Sequence, residues 1–347
     1  MKDFNIENII RKNIKSMKPY SSARDEFQDL NDDYIFLDAN ENPIQNGINR
    51  YPDPNQKVLK QEISTIKNIN SDQILLGNGS DEVLDLLFRA FCEPNIDNVI
   101  TLPPTYGMYD VLANLNAIEN REIPLNLDFE PQIDKIFETL DSNTKLIFIC
   151  SPNNPTGNSF NKNLILNLLN NFNGLVVLDE AYIDFSENIS WLNEIKNYEN
   201  LVVIQTLSKA YGMAGIRLGM LFASSKIINI LHKIKPPYNI NVLTQNAALS
   251  LLKNKETVQK DVVEILKQKE FVCENLLKAT FVEKIYKSDT NFVLIKVDDA
   301  NFRYKQFLEN GFVIRNRTKD LLCQNCLRIT IGTATENQKL IQFIKTL

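Results

Sequence analysis

Six short runs of β-branched and other apolar residues, at 73–76, 98–102, 145–150, 175–178, 201–206 and 218–223, alternate with longer segments of helical periodicity such as 81–91 and 161–172. Runs of that length read as buried strands, and their alternation with helices predicts an α/β layer with a mostly parallel sheet flanked by helices. Near residue 245 the pattern changes. A long charged helical stretch through residue 278 precedes strands near 291–297 and 327–331 and helices at 302–309 and 335–346, which together predict a smaller α+β domain. The expected division is an N-terminal arm over 1–37, a large domain over 38–250 and a small C-terminal domain over 251–347. The arm is polar and is expected to pack on the small domain or on a partner subunit. A length of 347 residues agrees with two domains, because single cores stop growing near about 250–300 residues.

Bulk composition then narrows the function classes. Lys and Arg number 38 against 43 Asp and Glu, for a net charge of −5 without a long run of one sign, so no nucleic-acid partner is expected. Residues 1–17 lack the continuous apolar stretch of a signal peptide, and no run approaches the ~20 residues needed to span a bilayer. The expectation is a cytoplasmic protein without a membrane partner. Five cysteines, with Cys323 and Cys326 in a lone CxxC, read as free thiols in a reducing compartment. The single histidine, His232, rules out two-His and three-His metal sites, and no metal is expected.

Ligands of open α/β sheets bind beyond the carboxyl ends of the strands, and several predicted strands here run into polar loops. The strand at 201–206 leads into Leu207-Ser208-Lys209-Ala210-Tyr211-Gly212-Met213-Ala214-Gly215-Ile216-Arg217-Leu218-Gly219. Lys209 reads either as a solvated loop lysine or as an amine with a lowered pKa that can bond an aldehyde. The strand at 175–178 ends in Asp179-Glu180-Ala181-Tyr182, and the strand at 145–150 runs into Ser151-Pro152-Asn153-Asn154-Pro155-Thr156-Gly157. Taken singly, these are an acidic turn and a Pro/Asn/Gly turn. Leu76-Gly77-Asn78-Gly79-Ser80-Asp81-Glu82 follows a strand and opens a helix, as an anion cup or as a helix capped by Ser80.

In combination and in this order, the segments resemble the fold-type I pyridoxal-phosphate (PLP) aminotransferases along nearly the whole chain, and within them the histidinol-phosphate aminotransferase family. Further matches are Pro19-Tyr20-Ser21-Ser22-Ala23-Arg24, Leu37-Asp38-Ala39-Asn40-Glu41-Asn42-Pro43, Arg50-Tyr51-Pro52-Asp53-Pro54, Pro104-Thr105-Tyr106 and Leu327-Arg328-Ile329-Thr330-Ile331-Gly332. The resemblance implies PLP as cofactor and a ping-pong exchange of L-histidinol phosphate and 2-oxoglutarate for imidazole-acetol phosphate and glutamate, a step of histidine biosynthesis. Same-fold alternatives are an aromatic-amino-acid aminotransferase and a decarboxylase of a phosphorylated amino acid. A non-catalytic regulatory domain is the alternative of a different class, and it has no need to keep Lys209, Asp179 and Arg328.

The resemblance also implies roles. Lys209 is the implied aldimine partner and proton carrier, and Asp179 the partner of the pyridine nitrogen. Asn154 and Tyr182 are implied at the phenolic oxygen and Tyr106 on the ring face. The phosphate is expected on Gly79, Ser80 and Asp81, with Ser208 and Arg217. Family members are homodimers, and Tyr51 matches the tyrosine that reaches the other subunit's PLP. Arg328 is the implied carboxylate clamp, and Tyr20 and Arg315 match positions near the substrate phosphate or second carboxylate. The stretch 316–324 departs most from the family. Of only 11 glycines, eight (Gly77, Gly79, Gly107, Gly157, Gly212, Gly215, Gly219, Gly332) lie inside or beside these segments, where a chain of average usage, ~7%, would scatter about 24.

Overall fold

The computed structural model describes residues 4–20 and 34–347. Each of the six apolar runs is a strand of one sheet: β1 (Ile74–Asn78), β2 (Asn98–Thr101), β4 (Thr144–Cys150), β5 (Leu175–Asp179), β6 (Leu201–Thr206) and β7 (Leu218–Phe222). A seventh, β3 (Glu119–Glu122), was not expected. It is polar and half-exposed, and it forms because the edge of β2 offers unpaired backbone groups. The order is β1-β7-β6-β5-β4-β2-β3, with β3, β2, β4, β5 and β6 parallel and β7 antiparallel to both β6 and β1.

Strand periodicity explains why these runs are apolar throughout. Alternate residues point to opposite faces, and helices cover both. Leu76, Ile147, Val176, Val203 and Met220 pack in one core layer, while Leu75, Phe148, Val177, Val202 and Leu221 pack in the other. The register sets Cys150 beside Asp179, Asp179 beside Ile204, and Thr206 beside Gly219. The carboxyl ends of β4, β5 and β6 therefore line up at one edge of the sheet.

A second, wholly antiparallel sheet has the order β10-β11-β9-β8, from β8 (Val282–Ile285), β9 (Phe292–Val297), β10 (Arg315–Asn316) and β11 (Cys326–Thr330). The predicted helical stretch from 245 to 278 is two helices, Val242–Leu252 and Lys255–Leu276, separated by a turn at 253–254. Leu252 packs in the large core, whereas Val272 and Leu276 pack in the small one. Tyr182, Phe185, Ala210 and Phe292 form an apolar contact between the two sheets.

The described start of the N-terminal arm packs on the large domain rather than on the small one. There Ile6, Ile9 and Ile14 are buried in the large domain's core beside Leu87 and Phe91. Arg11 seals the contact by donating its backbone N–H to Ala90 O at 3.1 Å. Three isoleucines in a polar stretch are enough to dock it. Residues 21–33 lie outside the described residues, and with them Ser21 to Arg24 of the Pro19–Arg24 motif.

Candidate active site

A cavity of about 220 Å³ opens at the sheet edge where β4, β5 and β6 end. Ser80, Asp81, Tyr106, Asn154, Asp179, Tyr182, Ser208, Lys209, Arg217 and Arg328 line it, so ten of the fourteen residues singled out in the sequence meet in one place. Cys150, Ala181 and Thr206 complete the lining.

Asp179 ends β5 and is 3% exposed. Burial pushes its carboxyl above the usual carboxylate range, opposed by two donors. Tyr109 Oη donates to Oδ2 at 2.8 Å and the Ala181 N–H to Oδ1 at 3.0 Å. Lys209 follows β6 through Leu207 and Ser208, a connection held by Met213 N–H donating to Leu207 O at 3.0 Å. Its side chain opens into the cavity and is solvent-accessible, yet protein surrounds it closely enough for desolvation to lower its pKa. Arg328 and Arg217 push in the same direction, while Asp179 and Asp81 pull back. The amine lies 5.5 Å from the centroid of the Tyr182 ring. Among the described residues it is the only lysine lining the cavity.

The anion cup is built by close approach. The helix Gly79–Phe91 begins at Gly79, with φ +74°, and Asn78 occupies the cap position without a side-chain cap bond. Ser80 is thus inside the first turn, and the reading of it as the cap does not hold. Gly79 N–H donates to Arg217 O at 2.8 Å, which ties the cup to the start of β7. A Cβ on Gly79 would lie 2.5 Å from Arg217 Nη2, and one on Gly219 would lie 2.3 Å from the carbonyl carbon of Gly79. Both positions require glycine if the cup and the guanidinium are to share this space. Asp81 connects the parts: Tyr106 Oη donates to its Oδ1 at 3.0 Å, and Arg217 Nη2 sits 3.5 Å from its Oδ2.

Arg328 arrives from the second sheet, on β11. Its Nη1 donates to Asn154 Oδ1, and its guanidinium lies 5.0 Å over the Phe292 ring. Its Nε is buried and has no acceptor among the described residues. A guanidinium held on one side with a buried N–H to spare suits a carboxylate ligand. The expected cofactor fits these residues on one observation: a side chain at Gly79 would fill the cradle at the helix N-terminus. The spare donor of Arg328 suits a substrate carboxylate, a group that PLP does not carry.

Four expected residues do not line the cavity. Gly79 contributes backbone beneath the cup. Tyr51 stacks on Tyr238 at 4.4 Å over a separate hollow and is 51% exposed. Glu41 joins its motif to the Leu37–Pro43 segment, accepting from Arg50 Nη1 and from Tyr51 N–H, each at 2.6 Å. Tyr20 is 73% exposed. Arg315 is exposed on β10, paired across the ladder with Arg328. Sequence reasoning passed over Tyr109, the donor to Asp179. Its signal was helical spacing, one turn after Tyr106 on the helix Met108–Leu115. Among the described residues no His, Cys, Asp and Glu group is arranged to hold a metal, and no helix is long and apolar enough to cross a membrane.

Comparison with known proteins agrees with this geometry. A model of the class I and II aminotransferase family matches residues 24–344. The histidinol-phosphate aminotransferase of Flavobacterium psychrophilum is 61% identical over 347 residues, covering 100% of both chains. The crystal structure of the histidinol-phosphate aminotransferase from Clostridium acetobutylicum matches with a TM-score of 0.79 at 26% identity, over 86% of this chain and 90% of that one. The structure of L-threonine-O-3-phosphate decarboxylase from Porphyromonas gingivalis reaches a TM-score of 0.74 at 25% identity, again over 86% and 90%. The fold is therefore shared by more than one chemistry.

Proposed function

Because this chain belongs to the class I and II aminotransferase family, we propose that it catalyses PLP-dependent transamination of L-histidinol phosphate with 2-oxoglutarate, yielding imidazole-acetol phosphate and glutamate in histidine biosynthesis. The observation that carries the reading is the meeting of Lys209, Asp179, Asn154 and Arg328 in one cavity, in a chain with full-length relatives of that name. Bound PLP supplies an aldehyde and a pyridinium ring that draws electrons from the substrate's amino carbon.

The chain's own residues do the rest. Ser208, Arg217 and the backbone N–H groups at Ser80 and Asp81 hold the cofactor phosphate. Tyr106 packs on the ring face, Asn154 and Tyr182 hold the phenolic oxygen, and Asp179 holds a proton on the ring nitrogen. Lys209, its proton affinity lowered by desolvation and two arginines, moves the proton at the substrate's amino carbon. Arg328 orients 2-oxoglutarate by its carboxylate. Tyr20 and Arg315 are assigned to the substrate's distal phosphate or the second carboxylate. The exposed Tyr51 is assigned to the cofactor phosphate of a second copy in a homodimer, and the cytoplasm is the compartment in keeping with five free thiols.

A substrate panel tests the reading. With 2-oxoglutarate as acceptor, kcat/KM for L-histidinol phosphate should exceed that for phenylalanine, and phosphothreonine should not be decarboxylated. A tenfold or greater preference for phenylalanine would make the enzyme an aromatic aminotransferase instead.

A further inference from the structure

Tyr109 is used by nothing in the mechanism above, yet it is a fully buried polar side chain beside the cavity. It is 0% exposed, and its phenol donates to Asp179 Oδ2 at 2.8 Å. The ring cannot swing away. It stacks on Phe148 with centroids 5.0 Å apart and meets Tyr106 edge-on at 5.6 Å. Phe148 is itself stacked on Phe88 at 5.1 Å. If packing were the only requirement, phenylalanine would fill this site without burying a hydroxyl that must find an acceptor. The hydroxyl donates to the carboxylate assigned to the cofactor's ring nitrogen, with the Cys150 thiol beside it.

The charges around that carboxylate make the donor matter. Lys209 is the cation that faces it, Asp81 is a like charge, and Tyr106, Tyr182 and the Cys150 thiol are neutral neighbours. Burial favours the protonated acid, and two hydrogen bonds, from Tyr109 and the Ala181 N–H, oppose it together with the charge of Lys209. We propose that Tyr109 is a positioning residue for transamination: its hydroxyl orients Asp179 and holds it anionic in a dry site, and so sets how firmly Asp179 keeps the proton on the cofactor's ring nitrogen. This rests on the reading that Asp179 faces that nitrogen. The edge-on pair also brings both ring contacts from one short segment, with Tyr106 packing on the face from just before the helix and Tyr109, within it, acting through Asp179 on the nitrogen.

The test is PLP binding to apoenzyme, followed by absorbance and fluorescence from acid to neutral pH. The proteins compared are wild type, Tyr109→Phe, Asp179→Asn and the double variant. Wild-type affinity should fall on acidification as Asp179 takes up a proton. In Tyr109→Phe that fall should begin about one pH unit higher, which is about tenfold weaker binding at a fixed acidic pH, the effect of losing one hydrogen bond to a charged group. Asp179→Asn should lose both affinity and the acid limb, and adding Tyr109→Phe to it should leave the profile unchanged. A ring-fluorinated tyrosine at position 109, a stronger donor of the same shape, should move the limb to lower pH. An unmoved limb in both Tyr109 variants, with the limb abolished in Asp179→Asn, overturns the role of Tyr109. Wild-type affinity and an intact limb in Asp179→Asn overturn the reading of Asp179 itself.

Discussion

Arg217 carries a left-handed backbone, φ +55°, at the start of β7, a conformation that costs a side-chain-bearing residue of order 1–3 kcal/mol. The geometry it achieves is specific: its carbonyl accepts from Gly79 N–H while its guanidinium occupies the space a Cβ on Gly79 would take. Substituting Gly219→Ala tests this close approach. The new methyl would lie 2.3–2.4 Å from backbone atoms of Gly79 and Ser80. We expect a loss of about 1–3 kcal/mol in thermal unfolding together with weakened PLP retention. Gly107→Ala is the control, since nothing lies within 4 Å of the added Cβ, and its Tm should barely move. Arg328 yields a second prediction at this scale. Arg328→Lys keeps the charge but loses the planar fork, so KM for 2-oxoglutarate should rise about tenfold to a hundredfold. The half-reaction with histidinol phosphate, which has no carboxylate, should change far less. Equal losses in both half-reactions, measured by stopped flow, would remove Arg328 from the carboxylate.

The helix Lys57–Lys67 shows how an element can carry a buried charge away from the cavity. Lys60 on it is 7% exposed, and its Nζ lies 3.2 Å from His232 Nε2, which gives the only histidine a structural partner. Burial first, then the neighbouring Lys235, lowers its pKa from the usual 10.5 to about 8, against a smaller pull from Asp53. The sign of the pH effect follows. As pH falls from about 10.5 to about 8 the unfolded chain takes up a proton that the folded chain does not, so stability is lost across that window and no further below it. The full loss is about 3 kcal/mol. Lys60→Met should remove this slope. Its Tm advantage over wild type should widen from about pH 10.5 down to about pH 8 and stay level at lower pH. A constant offset across the window would mean that Lys60 carries the same charge folded and unfolded.

Across the whole molecule, the cavity draws on both sheets, while Tyr51 faces outward on the Tyr238 stack. If Tyr51 completes the site of a second copy, two inactive variants should complement each other. In a heterodimer of Lys209→Ala and Tyr51→Ala chains, one site would inherit both mutations and the other neither. Random subunit exchange between equal amounts should then restore about a quarter of wild-type turnover. No recovery after verified exchange would place Tyr51 in the site of its own chain or outside catalysis.

The sequence by itself determined the strands and what hangs from their ends. An apolar run of five or six residues between helical segments has few alternatives, and Lys209, Asp179 and Asn154 follow directly from such runs, so their place at the sheet's carboxyl edge was legible. Strands without that signal were not. β3 is polar and β10 is two residues long, and each exists because a neighbouring strand presents unpaired backbone. Only the tertiary structure decided which partners meet. Arg328 bonds Asn154 across 174 positions and Tyr109 bonds Asp179 across 70, distances over which local propensity carries no information. Likewise the three isoleucines of the arm mark it as a segment that docks, but the choice of the large domain belongs to the shape of its core. Strand and turn preferences act over a few residues, whereas the hydrogen bonds that charge and orient this cavity form only after both sheets have packed.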